Sequence, residues 1–247
     1  ICSASGNLDV TINANGGGNV FTMANNEGGE TIIKNLVITG GSANYGGGIY
    51  CNNSDPTISG CTIKVNTANN GGGGIFCENN SNPTITDCEI SDNAASGYQS
   101  HGGGIGCRDS NLTITDCNIW RNTLGSDPGN GSGGGISCRG GALTITNGTI
   151  NNNASYSGGG GIDCGGTILT ITDCTIAGNT ANTTGNTANT SGGGINTYSL
   201  SELQGSASIT GCTITDNTAI SGSGGGICFT GGGGGGVFGI SNCTISH

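Results

Sequence analysis

Polar and apolar residues alternate along this chain in short bursts, and the bursts recur between glycine clusters. The stretch "PTISGCTIKVN" at residues 56–66 is one of them, with Ile58, Cys61 and Ile63 set among polar neighbours. Alternation over three to five residues puts every second side chain on one face of a strand. No 3.6-residue period or heptad appears, so the predicted elements are all short strands.

The bursts align on one another. The isoleucine after each glycine cluster falls at Ile49, Ile75, Ile105, Ile136, Ile162, Ile195 and Ile227, at intervals of 26, 30, 31, 26, 33 and 32 residues. A second column runs Ile58, Ile85, Ile114, Ile145, Ile171, Ile209, Ile240, and a third Ile63, Ile90, Ile119, Ile150, Ile176, Ile214, Ile245. "TIIKNLVITGG" (31–41) is an earlier, looser copy, and "LDVTI" with "GGGNVFTM" reads as part of one more coil. Each repeat is expected to hold three strands, "GGGIxC", "xTIT" and "CTIxxN". Strands this short bury nothing alone, but stacked coil on coil they enclose one continuous core. The expected fold is all-β, a single-stranded parallel β-helix of about eight to nine coils, roughly 40 Å long at ~4.8 Å per coil. One domain spans 1–247, with 1–30 an irregular beginning and 31–247 the repeats. The inward set of the first full coils is Ile49, Cys51, Ile58, Cys61, Ile63, Ile75, Cys77, Ile85, Cys88 and Ile90.

Two further columns are polar. Asn35, Gly60, Asp87, Asp116, Asn147, Asp173, Gly211 and Asn242 lie between the second and third strands. Only Gly, Asn and Asp occur there, the residues that best tolerate positive φ, so a bend in every coil is expected. A calcium-binding acidic ladder of Asp87, Asp116 and Asp173 is the competing reading, weakened by the free exchange with glycine and asparagine. Asn66, Asn93, Asn122, Asn153, Asn179 and Asn217 lie three residues past the last isoleucine and are expected to form an internal amide ladder.

Cysteine is abundant, with 13 residues. Cys51, Cys77, Cys107, Cys138 and Cys164 form one column, and Cys61, Cys88, Cys117, Cys174, Cys212 and Cys243 another; Cys2 and Cys228 stand outside both. There is no CxxC, which argues against a zinc ribbon or thioredoxin-like chemistry. Core thiols and disulfides within a column or a coil are both compatible with the spacing.

Outward positions of the second strand repeat as well: Thr57/Ser59, Thr84/Thr86, Thr113/Thr115, Thr144/Thr146, Thr170/Thr172 and Ser208/Thr210. They compose a flat two-column hydroxyl face, which resembles the ice-binding faces of β-solenoid antifreeze proteins. Threonine is also simply a good exposed strand former. The third strand is less regular, with Lys64, Glu89 and Trp120 pointing outward.

Composition narrows the function classes. Glycine supplies 54 of 247 residues without a three-residue period, which excludes collagen, and the net charge is −10 with five cations, which disfavours nucleic acid. No apolar run approaches a membrane span, so no membrane insertion is expected. A phosphate-binding role for the glycine clusters lacks the lysine and helix it would need. The one group resembling a catalytic site is Arg108, Asp109, Arg139, His101 and Glu78, as in polysaccharide lyases and hydrolases; solvated turns collect such charges routinely. No catalytic, cofactor or metal residue is assigned.

"GGGI" at 46–49 and its copies, paired with "IKVN" at 63–66, "ISDN" at 90–93 and "IWRN" at 119–122, resemble the GGA[ILV]/FxxN repeats of polymorphic outer-membrane proteins. Glycine stands here for the alanine and isoleucine for the phenylalanine. The resemblance covers about residues 31–247 and implies a right-handed β-helix, export, and structural or adhesive work at the cell surface, with no catalytic residue and no autotransporter barrel. Expected partners are cell-surface proteins or glycans, or further copies of the chain. The last repeat stops at "SNCTISH" without a polar cap, and an uncapped coil invites head-to-tail stacking into a filament.

Overall fold

The computed structural model describes residues 10–97, 100–125, 132–182, 192–198, 205–220, 224–230 and 237–246. Strands of two to five residues pair in parallel with the strand one turn away, in four sheets. Sheet 1 has eight strands, from Phe21–Met23 to Ile227–Thr230, and contains the glycine-strand isoleucines. Sheet 2 has eight, from Ile32–Lys34 to Phe238–Ser241; sheet 3 has nine, from Val10–Asn13 to Thr244–Ser246. Sheet 4 has seven, from Ser42–Tyr45 to Thr218–Ala219. The chain therefore winds as a parallel β-helix.

Two expectations need correction. Each turn carries four strands rather than three, because the two residues after each ladder asparagine pair as sheet 4, for example Thr180–Ala181 with Thr218–Ala219. Most of these strands are only two residues long, too short for alternation to announce them. Seven turns contribute to all four sheets, flanked by a single strand before and three strands after, against the eight to nine coils read from the repeats. The "VTI" of that early stretch does enter the stack, as strand Val10–Asn13 paired with Leu36–Thr39.

The register reproduces the aligned columns. Ile49 pairs with Ile75, Ile75 with Ile105, and Cys51, Cys77, Cys107, Cys138 and Cys164 stack in one file. Ile49, Cys51, Ile58, Cys61, Ile63, Ile75, Cys77, Ile85, Cys88 and Ile90 are all buried in the single core. A lone coil closes too little apolar surface to offset the ordering of its backbone. Stability is therefore a property of the stack.

The bend column behaves as its composition requires. Asn35, Gly60, Asp87, Asp116, Asn147, Asp173, Gly211 and Asn242 all have φ between 51° and 67°. A second left-handed corner precedes the ladder asparagine, and it includes Val65 (φ 55°) and Arg121 (φ 51°), residue types that adopt this conformation at a cost. A third follows sheet 1, at Asn53, Asn79 and Asp109 among others.

The ladder itself is continuous. Asn93 Nδ2 donates to Asn122 Oδ1 (3.0 Å) and to the Ile63 carbonyl (2.9 Å), and Asn93 N–H donates to the same Asn122 Oδ1 (3.0 Å). The pattern repeats from Asn66 through Asn217. Glycine is needed where sheet 1 enters beside it: a Cβ on Gly103 would lie 2.4 Å from the Thr123 carbonyl oxygen, and one on Gly104 2.8 Å from that of Gly135. Backbone occupies the space a side chain would take.

Candidate functional site

Two surfaces stand out from the repeating frame: the outward face of sheet 2 and the covered outer face of sheet 1. On sheet 2 the register sets Thr57, Thr84, Thr113, Thr144, Thr170 and Ser208 in one file and Ser59, Thr86, Thr115, Thr146, Thr172 and Thr210 in the next. All twelve are at least partly exposed. Coils repeat at about 4.8 Å and residues two apart on a strand lie about 6.6 Å apart, so the hydroxyls form a near-rectangular lattice. No charged side chain interrupts these two files from Thr57 to Ser241. The register places the residues of the face read from the sequence in two adjacent files. Beside it runs the bend column; among the described residues no three His, Cys, Asp or Glu side chains gather to hold a metal ion.

The outer face of sheet 1 is different in kind. Its outward file reads Tyr50, Phe76, Gly106, Ser137, Asp163, Asn196 and Cys228, a different residue in every coil. Described residues that follow sheet 4 lie against it: Gly159 N–H donates to Asp163 Oδ1, and His101 bridges in parallel to Gly71 and Ser132. At one end the rings of Tyr45, Tyr50 and Phe76 gather, with Tyr45 and Phe76 centroids 4.8 Å apart and the Arg108 guanidinium 5.8 Å from the Phe76 ring. The Tyr50 hydroxyl donates to Glu78 Oε1 at 2.5 Å, and burial together with that carboxylate pushes it up to about 12.

The group that suggested catalysis divides here. Glu78, Arg108 and Arg139 are successive register partners, with Arg108 Nη1 3.7 Å from Glu78 Oε2. Asp109 forms the exposed left-handed corner (φ 48°). His101 is buried; its imidazole is pulled down to about 3, first by burial and then by Arg139 and Arg108, so it is neutral at physiological pH. Farther along, Asp163 and Asn196 are buried together with Ser132 and Ser137. Asp163 escaped the sequence reading because its own strand, "GIDC", looks like any other copy. The signal was the non-repeating file to which it belongs.

All cysteines among the described residues are thiols, Cys2 lying outside them. Contact with Cys51 and burial push the Cys77 thiol up, and burial does the same to Cys164. In the second file the backbone N–H of Cys61, Cys88, Gly148, Cys174 and Cys212 meets the next thiol, as from Cys88 N–H to Cys117 Sγ at 3.4 Å. The stretches "AASGYQSH", "TLGSDPGNGS", "TANTTGNTANTS" and "TYSLSELQGSA", where the repeats differ most in length, fall partly or mostly outside the described residues.

A family model described as "Right handed beta helix region" matches residues 2–176. The chain belongs to this right-handed β-helix family. The match fixes the hand of the coil and agrees with the stacked parallel sheets. No curated protein and no solved structure matches it.

Proposed function

We propose that this β-helix is a non-catalytic structural and adhesive module of a secreted or cell-surface protein, and that the hydroxyl face of sheet 2 is its contact surface. The observation that carries the proposal is the unbroken pair of threonine and serine files over six coils. A flat, rigid, uncharged lattice of donors and acceptors suits an extended hydroxylated surface such as a glycan wall. The rest of the chain is acidic, at net −10, and the face is not. The resemblance to polymorphic outer-membrane-protein repeats supports export and surface display. The non-catalytic part of the reading is supported by the placement of the acid–base candidates: Glu78 is engaged by Tyr50 and Arg108, and His101 and Asp163 are buried.

Co-sedimentation with insoluble cellulose, chitin and peptidoglycan tests this. Wild type is expected to pellet with at least one of them. The double variant Thr113→Lys/Thr144→Lys, with both positions solvent-facing, should fold and remain in the supernatant. Equal pelleting of wild type and variant would refute the assignment.

The regular two-dimensional spacing specifically favours a second reading, ice binding by the same face. Thermal hysteresis and ice-crystal shaping, lost in the same variant, would support it; their absence in wild type would dismiss it.

A further inference from the structure

On the outer face of sheet 1, Asp163 and Asn196 are register partners on adjacent coils, and both are buried. Asn196 Nδ2 donates to Asp163 Oδ1 at 2.7 Å, and Gly159 N–H donates to the same oxygen at 3.1 Å. The other two oxygens of the pair, Asp163 Oδ2 and Asn196 Oδ1, have no hydrogen-bond donor. Two buried acceptors without donors are costly, and a carboxylate oxygen is the costlier. Both belong to groups already joined at their opposite atoms. One proton satisfies both at once.

We infer that Asp163 is a neutral carboxylic acid in the folded chain, its Oδ2 hydroxyl donating to Asn196 Oδ1, and that this acid–amide pair is a pH-sensitive latch between the two adjacent coils of sheet 1 that carry it. The donor and acceptor inventory supports it, since a protonated carboxyl adds one O–H while Oδ1 continues to accept. The covering backbone leaves little room for an alternative arrangement: a Cβ on Gly158 would lie 2.5 Å from Asp163 Oδ1. Other groups bear on the proton. Arg139 on the preceding coil favours the ionised form, as do the Ser132 hydroxyl and Gly159 N–H; Tyr198 on the following coil and Cys164 beside it on the same strand sense the Asp163 charge. Burial is the largest influence on Asp163 and raises it above the ordinary aspartate range.

Folding then takes up a proton at this site. The latch is fully formed below the unfolded aspartate value of about 3.9. It weakens as pH rises through the folded value, by up to about tenfold in the folding equilibrium per pH unit. Ionisation removes the O–H···O contact between these two coils, while the Gly159 N–H bond to Oδ1 persists.

The test compares wild type with Asp163→Asn, whose amide can donate to Asn196 Oδ1 in place of the acid. Denaturant unfolding is followed from about pH 4 to 9, with and without NaCl and CaCl2. Infrared difference spectra at neutral pH are recorded alongside. Expected are a protonated-carboxyl band present in wild type and absent from Asp163→Asn, and a loss of stability with rising pH that the variant lacks. The inference is overturned if no such band exists at neutral pH, or if the two proteins share one pH dependence. It is equally overturned if NaCl or CaCl2 stabilises wild type alone, for the two oxygens would then hold a cation. Should the variant fail to fold, the wild-type band and its pH titration still decide.

Discussion

Replacing Asn122 by alanine tests whether the asparagine ladder holds the coils together or only decorates them. The Asn122 side chain donates to the Ile90 carbonyl (2.8 Å) and to Asn153 Oδ1 (3.1 Å), and accepts from Asn93 N–H and Asn93 Nδ2 (both 3.0 Å). It is fully buried, so water cannot substitute. Asn153 Oδ1 keeps the Asn122 backbone N–H at 3.0 Å. Two buried donors do lose their partner, the Asn93 N–H and one Asn93 amide hydrogen, while the Ile90 carbonyl keeps its bond within sheet 3. At about 1–3 kcal/mol for each stranded buried group, the expected loss is about 2–6 kcal/mol. That is a large part of the ~5–15 kcal/mol typical of a whole domain. Asn82→Ala is the matched control, because Asn82 also bridges coils, accepting from Asn111 Nδ2 at 2.7 Å and donating to Asp55 Oδ1 at 3.0 Å, but does so in solvent. It should cost under about 1 kcal/mol. Urea unfolding followed by far-ultraviolet circular dichroism gives both values. If Asn122→Ala costs no more than Asn82→Ala, the ladder contributes nothing beyond surface hydrogen bonding and the reasoning fails.

Gly148 occupies the one place in the second cysteine file, between Cys117 and Cys174, where no thiol stands to take the preceding backbone N–H; a Cβ there would meet Ile145 Cγ2 at 3.2 Å, a contact a small shift relieves. Gly148→Cys should raise stability by about 1–2 kcal/mol and Gly148→Ala by about half that, measured by denaturant midpoint; a cysteine variant less stable than the alanine one would refute the thiol ladder. Val65 is a β-branched residue at φ 55°, with 57% of its surface exposed, so Val65→Gly should gain about 1 kcal/mol by releasing backbone strain, and a loss in thermal midpoint would contradict that account.

The core was readable because in-register stacking makes the coil above impose the same volume as the coil below. Ile49, Ile75 and Ile105 must resemble one another, and so must Asn66, Asn93 and Asn122. The first bend was readable for a related reason, since positive φ restricts its file to Asn, Asp and Gly. The second corner was not, because Val65 and Arg121 accept the same φ against their preference, held there by neighbouring coils. Sheet 4 was hidden by brevity: Ala94–Ala95 has no alternation to detect. Asp163 was hidden by the opposite of repetition, as its meaning comes from Asn196 one coil away and from Gly159, neither of which its own repeat predicts.

The same logic gives the threonine face its weight. Packing imposes nothing on a side chain that points into solvent, so an exposed file is free to vary within strand propensity. Sheet 3 uses that freedom: over four coils its outward files, leaving aside the buried Thr62 and Ser91, read Glu89, Asn118, Thr149 and Lys64, Trp120, Asn151. Sheet 2 is built from the same kind of strand with the same spacing, and over the same four coils its files read Thr57, Thr84, Thr113, Thr144 and Ser59, Thr86, Thr115, Thr146. Strand propensity acts on both sheets alike and therefore cannot account for the difference between them. A requirement that acts on one face alone can, and a flat external surface that must be met at every coil is such a requirement.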